Sequence, residues 1–354
     1  MDSSWATRPG LALSGREAPA HAVAWARAAE AAGLGSAWII EDYFQPGAFA
    51  LAGAVAAVTS RLVIGIGVVN PYTRHPALLA METAALAGLA PGRVVLGLGT
   101  SNRRWIEDQM GIPFKAPLGT LRESVDVVRR LLAGERVTST GTHDVALEGV
   151  PPAPVPIYLG VKGPKALGVA GEIADGLVCS VLSSPAHVRR ARATALAARR
   201  RTDAFPVLAY VPVMVAADRR EARERVRPFL ARYLRLLHGQ SILRDAGVPE
   251  SLTHALRDAA ERGERAAPLV PDEWIDRLTV AGTPDDCRAA LAPLADAGLD
   301  GPIALPIPGV DVLEQLARWR DTLVPAWSEL IARRHTAVGG VGEERRSLPP
   351  TSIE

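Results

Sequence analysis

The sequence predicts an α/β fold, a closed (β/α)8 TIM barrel with insertions, and three observations predict it. Strand-like apolar runs alternate with helix-like segments along most of the 354 residues, an order that builds a parallel sheet. Eight such pairs can be counted, the number that closes a barrel. The third strand run, residues 61–69 (RLVIGIGVV), is too apolar for a half-exposed strand and reads as buried on both faces. It leaves at Asn70-Pro71 into a loop that holds an amide, a phenol, a hydroxyl, a guanidinium and an imidazole between Asn70 and His75. A parallel barrel binds at the C-terminal ends of its strands, so this loop is the first candidate site.

In chain order, residues 10–14 form a first strand and the Ala-rich stretch 19–32 a helix stopped at Gly33. Residues 36–41 and 47–59 make the second pair. Gly65 and Gly67, inside the third strand, mark a bulge or a close approach of backbone to a ligand. The helix after it, 76–88, starts on Pro76, a first-turn position. Residues 93–99 are the fourth strand, and 118–133 an amphipathic helix with Leu121, Val125, Val128 and Leu132 on one face. Residues 137–147 interrupt the alternation as a hairpin insertion turning at Gly141. Strands at 156–161, 175–181 and 207–216 follow, with helices at 164–172 and 185–201. A charged helical excursion over 218–270 precedes helix 283–297, strand 302–306 and a last helix over 310–331. Residues 1–334 read as one barrel domain, and the Gly-, Pro- and charge-rich residues 335–354 as a disordered tail.

At 48% hydrophobic and 22% charged the chain can bury a large core. Its net charge of +2 gives no electrostatic case for nucleic acid. The longest uncharged stretch, 43–60, is broken by Gln45, Pro46 and two glycines and is too short to cross a bilayer. The N-terminus lacks the basic and apolar regions of a secretion signal. Cys179 and Cys287 supply neither a disulfide framework nor metal-ligand spacing, and the scattered histidines form no metal constellation. His75, just before the third helix, is suited to cap or to catalyse. A soluble cytoplasmic protein without a metal is expected.

The other strand ends add three clusters. Glu41 and Asp42 stand side by side at the second, where neighbouring carboxylates can raise one another's pKa and handle a proton; an acidic pair at a helix entry is the alternative. The fourth ends in Gly97 and Gly99, which open the backbone to a ligand, then Thr100, Ser101 and Asn102. Its GxG lacks the third glycine and the later acid of a dinucleotide fingerprint, so a Rossmann reading fails. The fifth ends in Gly160, Val161, Lys162, Gly163, Pro164 and Lys165. Glycine-opened backbone, free amides at a helix start and two of the chain's three lysines suit a phosphate.

Together these ends resemble the bacterial luciferase-like superfamily of flavin and deazaflavin oxidoreductases, and within it the methylenetetrahydromethanopterin reductase-like branch that uses coenzyme F420. Four segments in barrel order carry the resemblance: GIGVVNPYTRHP, GRVVLGLG, IPFKAPLGTLRE and PIYLGVKGPKALGVAGEIADG. It implies a cis peptide at Gly67–Val68 that bulges the third strand under the deazaflavin ring. It implies that Gly67, Val68, Val69, Asn70, Gly99, Thr100, Ser101 and Asn102 line the cofactor channel, and that residues 160–165 hold the cofactor's phosphate. Relatives with Asp-His at the second strand end differ from Glu41-Asp42, and Asn102 stands where several carry a proton-donating acid.

The expected function is hydride transfer between reduced F420 and an electron-poor C=C, C=O or C=N carbon of a small organic substrate. Glu41 or Asp42 would handle a proton, and Thr73 and Arg74 would meet the substrate or the cofactor's anionic tail. An FMN-dependent monooxygenase of the same superfamily is the alternative, and a non-redox barrel lyase or isomerase a more distant one. A homodimer is expected, with the small-residue helix 47–59 a candidate interface.

Overall fold

The computed structural model describes residues 3–138 and 144–344. Its eight barrel strands are β1 (Gly10–Leu13), β2 (Ser36–Ile39), β3 (Val63–Val69), β4 (Val94–Leu98), β5 (Ile157–Leu159), β6 (Gly176–Cys179), β7 (Val207–Val215) and β8 (Gly301–Pro306). All pair in parallel, and each neighbours the next except that β8 also returns to β1, which closes the ring. The (β/α)8 TIM barrel expected from the alternation is therefore present. Six helices fill the first connections: α1 (Pro19–Ala31), α2 (Ala48–Val58), α3 (Pro76–Leu89), α4 (Pro117–Leu132), α5 (Pro164–Ile173) and α6 (Pro185–Ala198).

Two apolar layers hold the ring. The outer one lies between strands and helices and draws on small residues such as Ala22, Ala26 and Ala29 of α1. Close helix approach depends on them: a Cβ on Gly171 of α5 would stand 1.9 Å from the carbonyl oxygen of Ala195 in α6. Inside the barrel the rings of Trp5, Trp38 and Tyr158 lie with centroids 6.1–6.4 Å apart. Glycine makes room for them. A Cβ on Gly65 would sit 2.4 Å from the Trp38 ring, and one on Gly176 would sit 2.5 Å from that of Tyr158. Gly65 thus accommodates a core indole, not a ligand or a bulge.

Past β7 the inner core continues into the excursion, built from α7 (Arg219–Leu236), α8 (Ser241–Ala246), α9 (Glu250–Glu261) and α10 (Asp272–Leu278). A short strand, Val280–Gly282, then pairs with the last three residues of β7. Three residues carry no readable period, which is why the sequence does not announce it. After α11 (Pro284–Asp296) and β8, the expected single helix over 310–331 is two, α12 (Val312–Asp321) and α13 (Leu323–Glu344), broken at Thr322. Helix α13 therefore runs through 335–344, which were read as disordered tail; 345–354 lie outside the described residues. The hairpin's arms, Val137–Thr138 and Asp144–Val145, pair antiparallel, and its turn at Gly141 lies outside the described residues. Among the described residues no helix is long and apolar enough to cross a membrane.

The excursion is tied to the barrel by buried polar contacts. His187 of α6 meets Asp245 of α8 through Nδ1 (2.6 Å), and Arg190 donates to the same carboxylate. Burial holds the His187 imidazole below its ordinary value of 6.5 against the pull of the Asp245 carboxylate, and among the described residues its buried Nε2 has no hydrogen-bond partner, so protonation there leaves a donor without an acceptor. The unfolded chain takes up that proton first. Stability from this residue is thus complete above 6.5 and is lost as pH falls through the depressed folded-state value. Denaturant midpoints should fall more between about pH 7 and pH 5 in the native protein than in His187→Gln; equal pH dependence of the two would contradict this.

Candidate active site at the barrel mouth

At the exit of β2, Glu41 is fully engaged. Its carboxylate accepts both terminal nitrogens of Arg74, one at 2.9 Å, and the backbone N–H of Ala48 at the start of α2 (3.0 Å). Arg74 also pairs through Nε with Glu82 of α3 (3.1 Å), and the Glu41 hydrogen bond raises its pKa further. The expectation that Arg74 meets substrate gives way to a different role: the pair joins the β2 exit, the β3 loop and α3. A bidentate carboxylate–guanidinium pair, both members largely shielded, is the strong form of such a contact. Asp42 is different. Its side chain is 33% exposed, only loosely opposed by Arg16 at 3.9 Å, and its charge adds to burial in raising the pKa values of Tyr210 and Tyr233.

The β3 loop is shaped by Asn70. Its side-chain oxygen accepts the N–H groups of Tyr72 (2.9 Å) and Thr73 (3.1 Å), and its amide donates to the Thr73 hydroxyl (3.0 Å). Asn70 and Thr73, expected to face cofactor and substrate, are thus turned on each other as an Asx-type turn. His75 caps α3 by accepting the N–H of Ala77 (3.2 Å).

Between these loops β3 departs from regularity. Ile64 and Ile66 pack in the outer layer, and period-two alternation would send Val68 outward too. Instead the pairing with β4 shifts between Ile66 and Val69, Val69 takes the outer position, and the Gly67–Val68 peptide is cis, as the resemblance implied. Val69 is therefore core and not channel lining. Val68 turns inward, where its methyls occupy the space that Cβ atoms on Gly97 (2.9 Å), Gly99 (2.8 Å) and Gly160 (2.9 Å) would fill. Those glycines, read as open backbone for a ligand, receive a side chain of the protein itself. The Gly67 carbonyl accepts the buried phenol of Tyr210 (2.7 Å), and a Cβ on Gly67 would collide with that oxygen.

The remaining candidates divide. Ser101, at a left-handed φ of 57°, accepts the phenol of Tyr43 (2.7 Å), and Thr100 donates weakly to its carbonyl (3.4 Å). Asn102 is exposed and accepts the N–H of Trp105 (3.1 Å), opening a π-helical turn, Arg104–Gln109. At β5, Val161 is buried, and Lys162 donates to Gln240 across the excursion (2.8 Å) with burial lowering its pKa. Gly163 precedes α5 with nothing within 4 Å of where its Cβ would be, followed by Pro164 and the exposed Lys165. Tyr43, Trp105 and Tyr210 escaped the sequence reading. A signal existed for the first two: aromatics are 5% of the chain, yet they adjoin polar strand ends.

A family model for luciferase-like monooxygenases matches residues 1–301. The chain belongs to the luciferase-like family. Among similar proteins, 5,10-methylenetetrahydromethanopterin reductase of Methanolobus tindarius is 32% identical over 286 residues, 78% of this chain and 86% of that protein. An F420-dependent glucose-6-phosphate dehydrogenase of Nakamurella multipartita is 30% identical over 328 residues, 86% of this chain and 92% of the relative. The solved coenzyme F420 dependent tetrahydromethanopterin reductase of Methanopyrus kandleri superposes with a TM-score of 0.80 at 26% identity, covering 90% of this chain and 99% of that one. In this luciferase-like chain the mouth is thus a bulged apolar residue set among glycines, with pre-tied loops around it and the carboxylate of Asp42 left largely free of a partner. Among the described residues no His, Cys, Asp and Glu side chains gather in a group able to hold a metal ion.

Proposed function

We propose that the protein is an F420-dependent oxidoreductase exchanging a hydride with an electron-poor C=C, C=O or C=N carbon of a small organic substrate. One observation carries this reading: Val68, inside the ring of strands, is only partly buried and presents an apolar perch at the mouth. When bound, the deazaflavin supplies the hydride chemistry. The chain's residues fit it. Val68 offers a flat apolar seat between the exits of β3, β4 and β5. The start of α5, with open space at Gly163 and Lys165 beside it, offers backbone amides and charge to a phosphate. Asp42 holds or moves a proton at the substrate's edge, while Glu41 and Arg74 keep the loops in place. Relatives named for F420 support the choice of cofactor.

A second reading, an FMN-dependent monooxygenase, draws on the description of the family itself and on a phosphate site that would serve either cofactor. A lysine-dependent lyase is disfavoured, since Lys162 is held by Gln240 and Lys165 lies exposed on α5. Titrating the protein with F420 and with FMN separates the first two: F420 should be retained through gel filtration and FMN lost, and the opposite result would favour the monooxygenase. Asp42→Asn should lower kcat by about 100-fold and leave F420 affinity within about twofold; unchanged turnover would remove Asp42 from the chemistry.

The quaternary state we propose is a homodimer through α2 and α3. Helix α2, AFALAGAVAAV, has no charged residue. Helix α3 exposes Leu78 (51%), Met81 (54%) and Leu89 (61%), while its one charge, Glu82, is drawn to Arg74. An uncharged exposed helical face of this kind marks an interaction surface. Sedimentation velocity should give a dimer for the native chain and a monomer for Met81→Glu; a native monomer would contradict this.

A further inference from the structure

The strand order places β3 between β2 and β4. A hydrogen bond from Tyr43, beyond β2, to Ser101, beyond β4, therefore passes across the end of β3, the strand that carries Val68. The Trp105 ring lies 4.6 Å from that of Tyr43. Trp105 belongs to the π-helical turn, a rare form that concentrates at functional sites. The chain after this turn is held as well: Phe114 lies 5.0 Å from Tyr72 of the β3 loop, whose phenol donates to the Lys115 carbonyl (2.8 Å). Two aromatic pairs, Tyr43–Trp105 and Tyr72–Phe114, thus join loops beyond β2, β3 and β4 and together constitute the aromatic wall of this mouth. Of the cations around it, Arg74 is taken up by Glu41 and Glu82, and Arg103, 5.9 Å from the centre of the Phe114 ring, by Glu107, while Arg104 and Lys115 are exposed.

From this geometry we infer that Tyr43 and Trp105 determine specificity, and that the substrate class is a planar conjugated acceptor carrying an aromatic ring. The inference deepens the F420 reading of the same mouth and rests on it. Aromatic faces attract flat π-systems beyond the area they bury. The wall would lie against the ring of the acceptor, with Tyr43 fixed by Ser101.

Calorimetry with benzylideneacetone, 3-penten-2-one (the same enone with methyl in place of phenyl) and glucose 6-phosphate tests this without turnover, on protein with and without oxidised F420. Benzylideneacetone should bind about tenfold more tightly than 3-penten-2-one. Trp105→Leu and Trp105→Ala should bring the two within about twofold, and Trp105→Phe should keep most of the preference, with F420 affinity unchanged. Equal affinities in the native protein, tighter binding of glucose 6-phosphate, or a preference that survives Trp105→Leu would overturn the assignment. Failure to bind F420 would appear separately, in the spectral titration, and leaves the enone ratio to decide this inference.

Discussion

The seating of one side chain governs the architecture of this mouth. Val68 leaves the outward course of its strand and packs its methyls against Gly97, Gly99 and Gly160, where any Cβ would displace it. Beneath it the Tyr210 phenol closes on the Gly67 carbonyl, in space left by the missing Gly67 side chain. Four glycines from three strand ends and a tyrosine from β7 therefore agree on a single position for a single valine. Interiors are close-packed, so such a position has no soft alternative nearby. The exits of β3, β4 and β5 are fixed relative to one another by this packing, before any loop hydrogen bond is considered.

Around that centre most of the polar groups act on the protein, not on a ligand. Glu41 and Arg74 saturate each other and link the β2 exit to α3, and Asn70 folds the β3 loop on itself. Buried or half-buried polar atoms are costly unless satisfied, and those of Glu41, Arg74 and Asn70 are satisfied internally, which pre-shapes the rim. The open start of α5, the carboxylate of Asp42 and the aromatic wall stay available. A site with rigid surroundings and few free groups suits an enzyme whose bound cofactor carries the reactive centre, since the chain then has to orient and exclude water more than to react.

Much of this was legible in the sequence. The barrel followed from eight alternations, and the runs at 61–69 and 207–216 were apolar enough to leave no other reading than buried strands. The strand ends were located correctly because a parallel barrel puts them on one face. What individual residues do there was less legible. A glycine in a strand reports that something comes close, but the sequence cannot say whether that is a ligand or Trp38, Val68 or Tyr210. Likewise Glu41 and Arg74 are 33 residues apart, and a contact at such a distance leaves no local pattern. The π-helical turn and the strand Val280–Gly282 are too short to show a period, whereas the break at Thr322 did leave a signal, Pro325 in the first turn of α13.

The account is tested most directly by a double-mutant cycle between Gly160 and Val68. The three atoms nearest to a Cβ on Gly160 all belong to Val68, so Gly160→Ala should act through that side chain. F420 affinity should drop about tenfold in Gly160→Ala and recover most of that loss when Val68→Ala is added, a coupling of about 1–2 kcal/mol. Additive losses in the double variant, or a Gly160→Ala protein that binds as tightly as the native one, would show that the mouth is not organised around Val68.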